Sequence, residues 1–244
     1  MVNLPTAAAM QKGDFELVIS HRFIPTIDSG FEGLFGLDGP VVNRLSLSYA
    51  AANKILITLG RSNQDNNYDL AVKYKFYGFR HKILPVLAAV RIGAAWNSRP
   101  ADARIFNRSK NHHRNFQYFG QLIINTLYKN KLGIGLVPSY LYNTYIFSRK
   151  IKNTFTMGTY IQYYVSPKWS LFIEANPAVS GCYFDKSTKY NTISTGLELE
   201  TGGHFFKVFL TNSAQINTSQ YLAGTDLAIN GADWRLGFNI TRTF

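Results

Sequence analysis

The stretch "YDLAVKYKF" sets Asp69, Lys73 and Lys75 on one face of an extended chain. Tyr68, Leu70, Val72, Tyr74 and Phe76 fall on the other. The same two-residue period puts Arg22, Arg44, Arg91, Lys207 and Arg235 on polar faces elsewhere, with Glu16, Glu174, Glu198 and Glu200. Seven bases then stand against five acids on the polar faces of the strand-like segments. Inside a closed sheet such charges could do one of two things. They could pair across the interior and fill it, or they could line a narrow polar channel with a mild preference for anions.

Other chemistries find less support. A nucleophile needs a base within reach, but adjacent Ser20 and His21 point to opposite faces of a strand. No Gly-x-Ser-x-Gly, His-Glu-x-x-His or phosphate-binding loop accompanies Ser20 or Ser213. The expectation is a protein that is not an enzyme and has no catalytic residues. The five histidines, His21, His81, His112, His113 and His204, are scattered, and side chains of neighbouring His112 and His113 diverge in extended chain. No metal site and no cofactor are expected. Cys182 is the only cysteine, so no intramolecular disulfide can form.

The formal net charge is +12, and much of it sits in two connections. "RPADARIFNRSKNHHR" carries Arg99, Arg104, Arg108, Lys110 and Arg114 against Asp102 alone, and "SRKIKN" adds Arg149, Lys150 and Lys152. Charge complementarity points these loops at anions such as the phosphates and acidic sugars of lipopolysaccharide. Nucleic acid is not expected, because no helix-turn-helix, RNA-binding or zinc pattern appears.

These residues must be positioned by strands. Charged residues make up only 16% of the chain and aromatics 15%, and no apolar run is long enough for a membrane helix. Twelve alternating segments recur: "DFELVISHRF", "VVNRLSLSYA", "KILITLGRS", "YDLAVKYKF", residues 83–96, 114–128 and 132–146, "TFTMGTYIQYYV", residues 169–182, "YNTISTGLELE", "FFKVFLTNS" and the C-terminal segment. The faces are ambiguous in the third, fifth and seventh. Their connections are sorted. "AANK", "GFRHK", "KNK", "SPK" and "TGGH" are short, and the alternating ones at 24–40, 62–66, 99–113, 147–153, 183–188 and 214–230 are mostly longer. Backbone groups in lipid must all be hydrogen-bonded, so a spanning sheet has to close on itself. Short turns at one end and long loops at the other mark a transmembrane antiparallel up-and-down β-barrel of about twelve strands, with both termini in the periplasm. "TGGH" is expected to be a tight turn that needs glycine torsions, and "FGLDG" to fold the first outer loop back over the lumen. The expected organisation is a short periplasmic segment over residues 1–12 followed by one barrel over 13–244. The protein would be exported to the bacterial outer membrane, with the signal peptide absent from this chain.

The last strand, "GADWRLGFNITRTF", alternates through Trp234, Leu236, Phe238 and Ile240 and ends on Phe244, which would sit at the membrane interface. It resembles the C-terminal signal of bacterial outer-membrane proteins. That resemblance implies recognition of Phe238, Ile240 and Phe244 by the barrel-assembly machinery. The phrases "SHRF", "LFGLDG", "LGRS", "KYKF", "TGGHFFKVFLTNS" and "GFNITRTF" also resemble, in order, a family of bacterial outer-membrane β-barrels catalogued as a domain of unknown function. The resemblance implies fold and location, and no activity. Two functions stay open: a narrow channel for a small, anionic solute, or a non-conducting barrel with a filled lumen that binds a protein partner in an outer-membrane complex.

Overall fold

A computed structural model of the chain describes residues 1–99, 108–148, 150–180, 190–229 and 233–244. The strands are β1 (Phe15–Phe23), β2 (Val41–Ala52), β3 (Ile55–Ser62), β4 (Asn67–Phe79), β5 (Val86–Asn97), β6 (Phe116–Tyr128), β7 (Leu132–Tyr142), β8 (Asn153–Tyr164), β9 (Trp169–Asn176), β10 (Ala178–Ser180), β11 (Thr192–Thr201), β12 (His204–Thr211) and β13 (Arg235–Thr243). Each is antiparallel to its neighbours, and β1 pairs with both β2 and β13, which closes the barrel. Pro177 separates β9 from β10, and both pieces run along β8, so the wall has twelve staves. Pro177 cannot donate to the ladder, and the register shifts just beyond it, between Ala178 and Ser180.

Three strand ends differ from the sequence reading for local reasons. β5 starts at Val86 rather than residue 83, just after Pro85. β6 starts at Phe116, after a single turn at His113–Asn115. β7 stops at Tyr142 rather than residue 146. Asn143 turns left-handed with φ 59°, and its side chain donates to the Arg114 and Phe116 carbonyls. The residues beyond Ser180 on the ninth stave lie outside the described set. In "TGGH", Gly202 and Gly203 take φ 54° and 95°, as the tight turn requires.

The outer face is apolar in its middle and aromatic at both ends. Leu59, Leu70, Val72, Ile92 and Val208 are exposed in the central belt. Toward the long loops, the Tyr68, Trp96 and Phe116 rings stack across β4, β5 and β6. Toward the short turns stand Phe15, Tyr74, Tyr163, Trp169 and Phe244. That is the arrangement of a sheet facing lipid, with aromatic girdles at the interfaces.

The interior is occupied by chain. Residues 1–9, placed by the sequence reading in the periplasm, instead run inside the barrel, and Leu4 and Ala7 are buried there. The last outer loop also turns inward. Every residue from 212 to 225 is buried, and a short helix spans Thr218–Tyr221. Leu4, Ala7, Tyr221 and Leu222 form one apolar cluster with Phe119, Ile123, Val137, Leu141 and Tyr160 of the wall. The ambiguous faces of the fifth and seventh segments follow from this: the inner residues of β5–β8 pack on protein, not water. The first outer loop, expected over the lumen, keeps Phe31, Leu34, Phe35 and Leu37 exposed.

Candidate functional site

The inner wall combines charges with two uncharged segments. Arg44 on β2 reaches Asp69 on β4 at 2.7 Å. Lys207 on β12 reaches Glu198 on β11 at 2.7 Å, and Glu198 also accepts from Gln162 of β8 at 2.8 Å. Arg235 on β13 holds Asp226 of the last outer loop at 2.8 Å through each of two nitrogens. Asp226 lies outside the spanning strands. Burial raises its pKa, but hydrogen bonds and charge from Arg235 outweigh this and hold it below the ordinary carboxylate value.

Four further lumen charges, Glu174, Lys73, Arg22 and Arg91, are engaged by the inserted segments. Glu174 on β9 accepts the backbone N–H groups of Val2, Asn3 and Leu4 at 3.0, 2.9 and 3.3 Å. Lys73 on β4 donates to the carbonyls of Thr6 and Ala8 at 3.0 and 2.7 Å. Asn125 on β6 accepts from the Ala7 N–H at 2.7 Å. Arg22 on β1 lies over the Phe209 ring and donates to the Asn239 and Asn3 side chains. Arg91 on β5 donates to Gln121 and to Thr218 of the short inner helix, at 2.8 and 2.9 Å. Asn217 donates to Ser62 and Asn67, and the Tyr221 hydroxyl accepts from Gln121.

A polar cavity of about 490 Å³ remains beside residues 1–10, and Glu16, Arg44, Lys73, Arg91, Glu198 and Lys207 lie on its wall. The sequence-assigned lumen set is thus brought together in the interior, except that Lys75 sits at a register shift in β4 and Glu200 is half-buried near the short-turn end of β11. A smaller cavity of about 280 Å³ opens at the long-loop end among Gln64, Asn97, Gln117, Tyr145 and Gln220.

Arg99, Lys110 and Lys150 are exposed. Arg108 instead donates to the Ile146 carbonyl. Lys110 supplies the carbonyl that receives the Trp96 indole N–H at 3.0 Å, so it sits at the aromatic girdle. Arg104 and Arg149 lie outside the described residues. Among the described residues no three metal-ligating side chains converge. The His112 and His113 rings stack at 4.3 Å, and His204 is held by Arg242.

The two inserted segments were not singled out from the sequence. They carried a signal: neither residues 1–10 nor residues 212–225 contain a charged side chain. An uncharged outer loop in a protein of net charge +12 belongs with buried chain.

A family model described as Membrane bound beta barrel domain (DUF5777) matches residues 1–244. Among solved structures, the fold is similar to the NanC porin, with TM-score 0.55 and 10% identity over 94% of this chain and 98% of that one. An outer membrane channel from Pseudomonas putida F1 (COG4313) gives TM-score 0.55 and 14% identity over the whole of both chains. The KdgM porin gives TM-score 0.50 and 9% identity over 95% and 98%. No curated protein matches the sequence.

Proposed function

The chain belongs to the DUF5777 family of membrane-bound β-barrels, and on that premise we propose that it is a narrow outer-membrane channel closed in this state by its own residues 1–9. One observation carries the reading. Among the described residues, Glu174 and Lys73 have no ion-pair partner on the wall and are satisfied by backbone groups of a segment that is not itself part of the wall. A purely structural lumen would pair wall charge with wall charge, as Arg44 and Asp69 do. If residues 1–9 withdraw, the 490 Å³ cavity joins the space they leave, and the passage is lined by charges such as Lys73 and Arg91 and by the apolar residues that had held Leu4 and Ala7. Among the described residues Arg22, Lys73 and Arg91 stand outside the ion pairs against Glu16 and Glu174, which supports a mild preference for anionic solutes.

The fold shared with the porins supports the outer membrane as its location. Exposed Lys110 beside the Trp96 girdle, with Arg99 and Lys150, suits lipopolysaccharide phosphates at the outer surface. The alternating final strand and Phe244 suit the barrel-assembly machinery. The apolar cluster around Leu4 and Tyr221 favours a second reading, a permanently filled barrel serving a protein partner.

Single-channel recording in planar bilayers separates the two. Leu4→Asp places a charge in the apolar cluster and should expel the segment, so the variant should conduct where the parent protein is closed or opens rarely. A folded variant with no conductance under any voltage would assign the protein to the filled barrel.

A further inference from the structure

Most of the polar contacts to residues 2–8 are made to the main chain, with Asn3 adding side-chain hydrogen bonds to Arg22 and Ser194. Glu174 takes three successive N–H groups, Asn125 takes that of Ala7, and Lys73 takes the carbonyls of Thr6 and Ala8. The Val2 carbonyl receives the Asn239 side chain at 3.4 Å. Donors of the segment thus meet an acid on β9, and acceptors meet a base on β4, across the lumen. Of the side chains, Leu4 and Ala7 are the two wholly inserted in the apolar wall, and both are small or aliphatic. Asn176 lies next to Leu4 against Gly158, and neither atom of its side-chain amide has a partner among the described residues. The buried Tyr160 hydroxyl also has none.

We propose that this part of the lumen is a binding site for an extended peptide, read mainly through its backbone, and that residues 2–8 occupy it as an internal substitute. This rests on the channel reading and gives it a substrate class. Main-chain groups repeat in any peptide, so a site built this way tolerates many sequences. The acid on one wall and the base on the other fix the strand direction, because reversing the chain would not set three N–H groups on Glu174 and two carbonyls on Lys73. Asn176 and Tyr160 supply donors and acceptors that an occupant longer or differently placed than residues 2–8 would use. A simple anion offers Glu174 no donor and would not occupy this part of the lumen, whatever passes beside Arg22, Lys73 and Arg91.

The test uses the full-length Leu4→Asp protein in lipid nanodiscs, with its own segment displaced. The fluorescent probes are three acetylated octapeptides: VNLPTAAA, a scrambled version, and VNLPTAAA N-methylated at the residues matching Asn3 and Leu4. Fluorescence anisotropy should report binding of the first two within about threefold of each other. The N-methylated peptide should bind at least tenfold more weakly, since two N–H groups that bond a carboxylate are gone. Glu174→Gln and Lys73→Met in the same background should each weaken the parent peptide at least tenfold, but the methylation result stands without them if either fails to fold. Absence of peptide binding by folded Leu4→Asp protein overturns the proposal, as does equal binding of the N-methylated probe. Binding is measured at equilibrium without ion flow. A barrel that binds peptide yet never conducts therefore overturns the channel reading and leaves the peptide site standing, and a conducting barrel that binds no peptide does the reverse.

Discussion

The Arg44 guanidinium crosses β3 to grip Asp69 at 2.7 Å, passing directly over Gly60. The pairing β2–β3–β4 puts Gly60 opposite Ser46 on one side and Asp69 on the other. A Cβ at Gly60 would collide with Arg44 Nη2 and Asp69 Oδ2. Glycine at this one inward position is what lets the two flanking strands share an ion pair. The Asp69 side chain is fully buried and that of Arg44 nearly so, at 0% and 12% exposure.

Removing one partner of a buried pair strands the other charge, at a cost of about 3–5 kcal/mol. Arg44→Met should therefore lower the temperature at which the folded band on a gel converts to the unfolded one. Arg44→Met/Asp69→Leu should recover much of that loss, because both charges leave together. Gly60→Val should behave like a weaker Arg44→Met, since both side-chain ends can swing aside. If the double variant melts lower than either single variant, the pair contributes more than the desolvation of its members.

Acid should loosen the outer mouth. Asp226 is held below its ordinary pKa of 3.8 by Arg235 despite partial burial. For a depressed carboxylate the folded state binds the proton less readily than the unfolded one. The contribution to stability is fully present above pH 3.8 and is lost as pH falls through the lower folded value. Limited proteolysis by an acid-active protease should therefore cut the outer loop at Asp226 at about pH 2.5 and not at about pH 5. Asp226→Asn should remove that pH dependence. A parent protein equally resistant at pH 2.5 and 5 would show that Arg235 does not close the mouth through this pair.

The outer face was legible in the sequence because lipid imposes a strict rule: the two-residue alternation of β1, β4 and β13 reappears in the structure as exposed Ile19, Leu70 and Val72 against buried Ser20, Asp69 and Asn239. The inside obeyed no such rule. Lumen-facing positions pair with water, with wall charges or with inserted chain, and these demand different residues. Ala71, Ala89 and Ile123 face inward yet are apolar, since Leu4 and Tyr221 press on them. The role of Glu174 could not be read from its own neighbourhood in the chain, because its partners lie about 170 residues away at Val2, Asn3 and Leu4. What could be read was the missing charge in the two inserted segments.

The terminus should matter for assembly more than for stability. Phe244 and Phe15 exchange backbone hydrogen bonds at 2.9 and 3.2 Å, while the Phe244 ring is 66% exposed with Arg242 against it. Deleting Phe244 leaves the rest of the β1–β13 ladder in place, so barrel refolded in detergent should melt within a few degrees of the parent. In cells, the amount of heat-modifiable barrel in the outer membrane should fall several-fold. Equal amounts in cells would remove Phe244 from the assembly signal.

Neighbouring residues on β4 separate lipid from lumen. Val72 points outward in the aliphatic belt, and Lys73 points inward to Thr6 and Ala8. An Arg on the lipid side near the midplane costs about 2–4 kcal/mol. Val72→Arg should thus sharply reduce the folded fraction in urea titrations in lipid vesicles. Lys73→Ala leaves two carbonyls of the inserted segment without their donor, but no acid loses an ion pair. The barrel should fold nearly as the parent does. Its effect should appear in the segment instead: protease cleavage within residues 1–12 should speed up at least tenfold, and closed time in bilayer recordings should shorten. If Lys73→Ala unfolds the barrel as severely as Val72→Arg, Lys73 acts on the wall itself. If it changes neither cleavage nor closed time, the grip of Lys73 on the inserted segment is incidental, and closure depends on Glu174 and the apolar contacts of Leu4 alone.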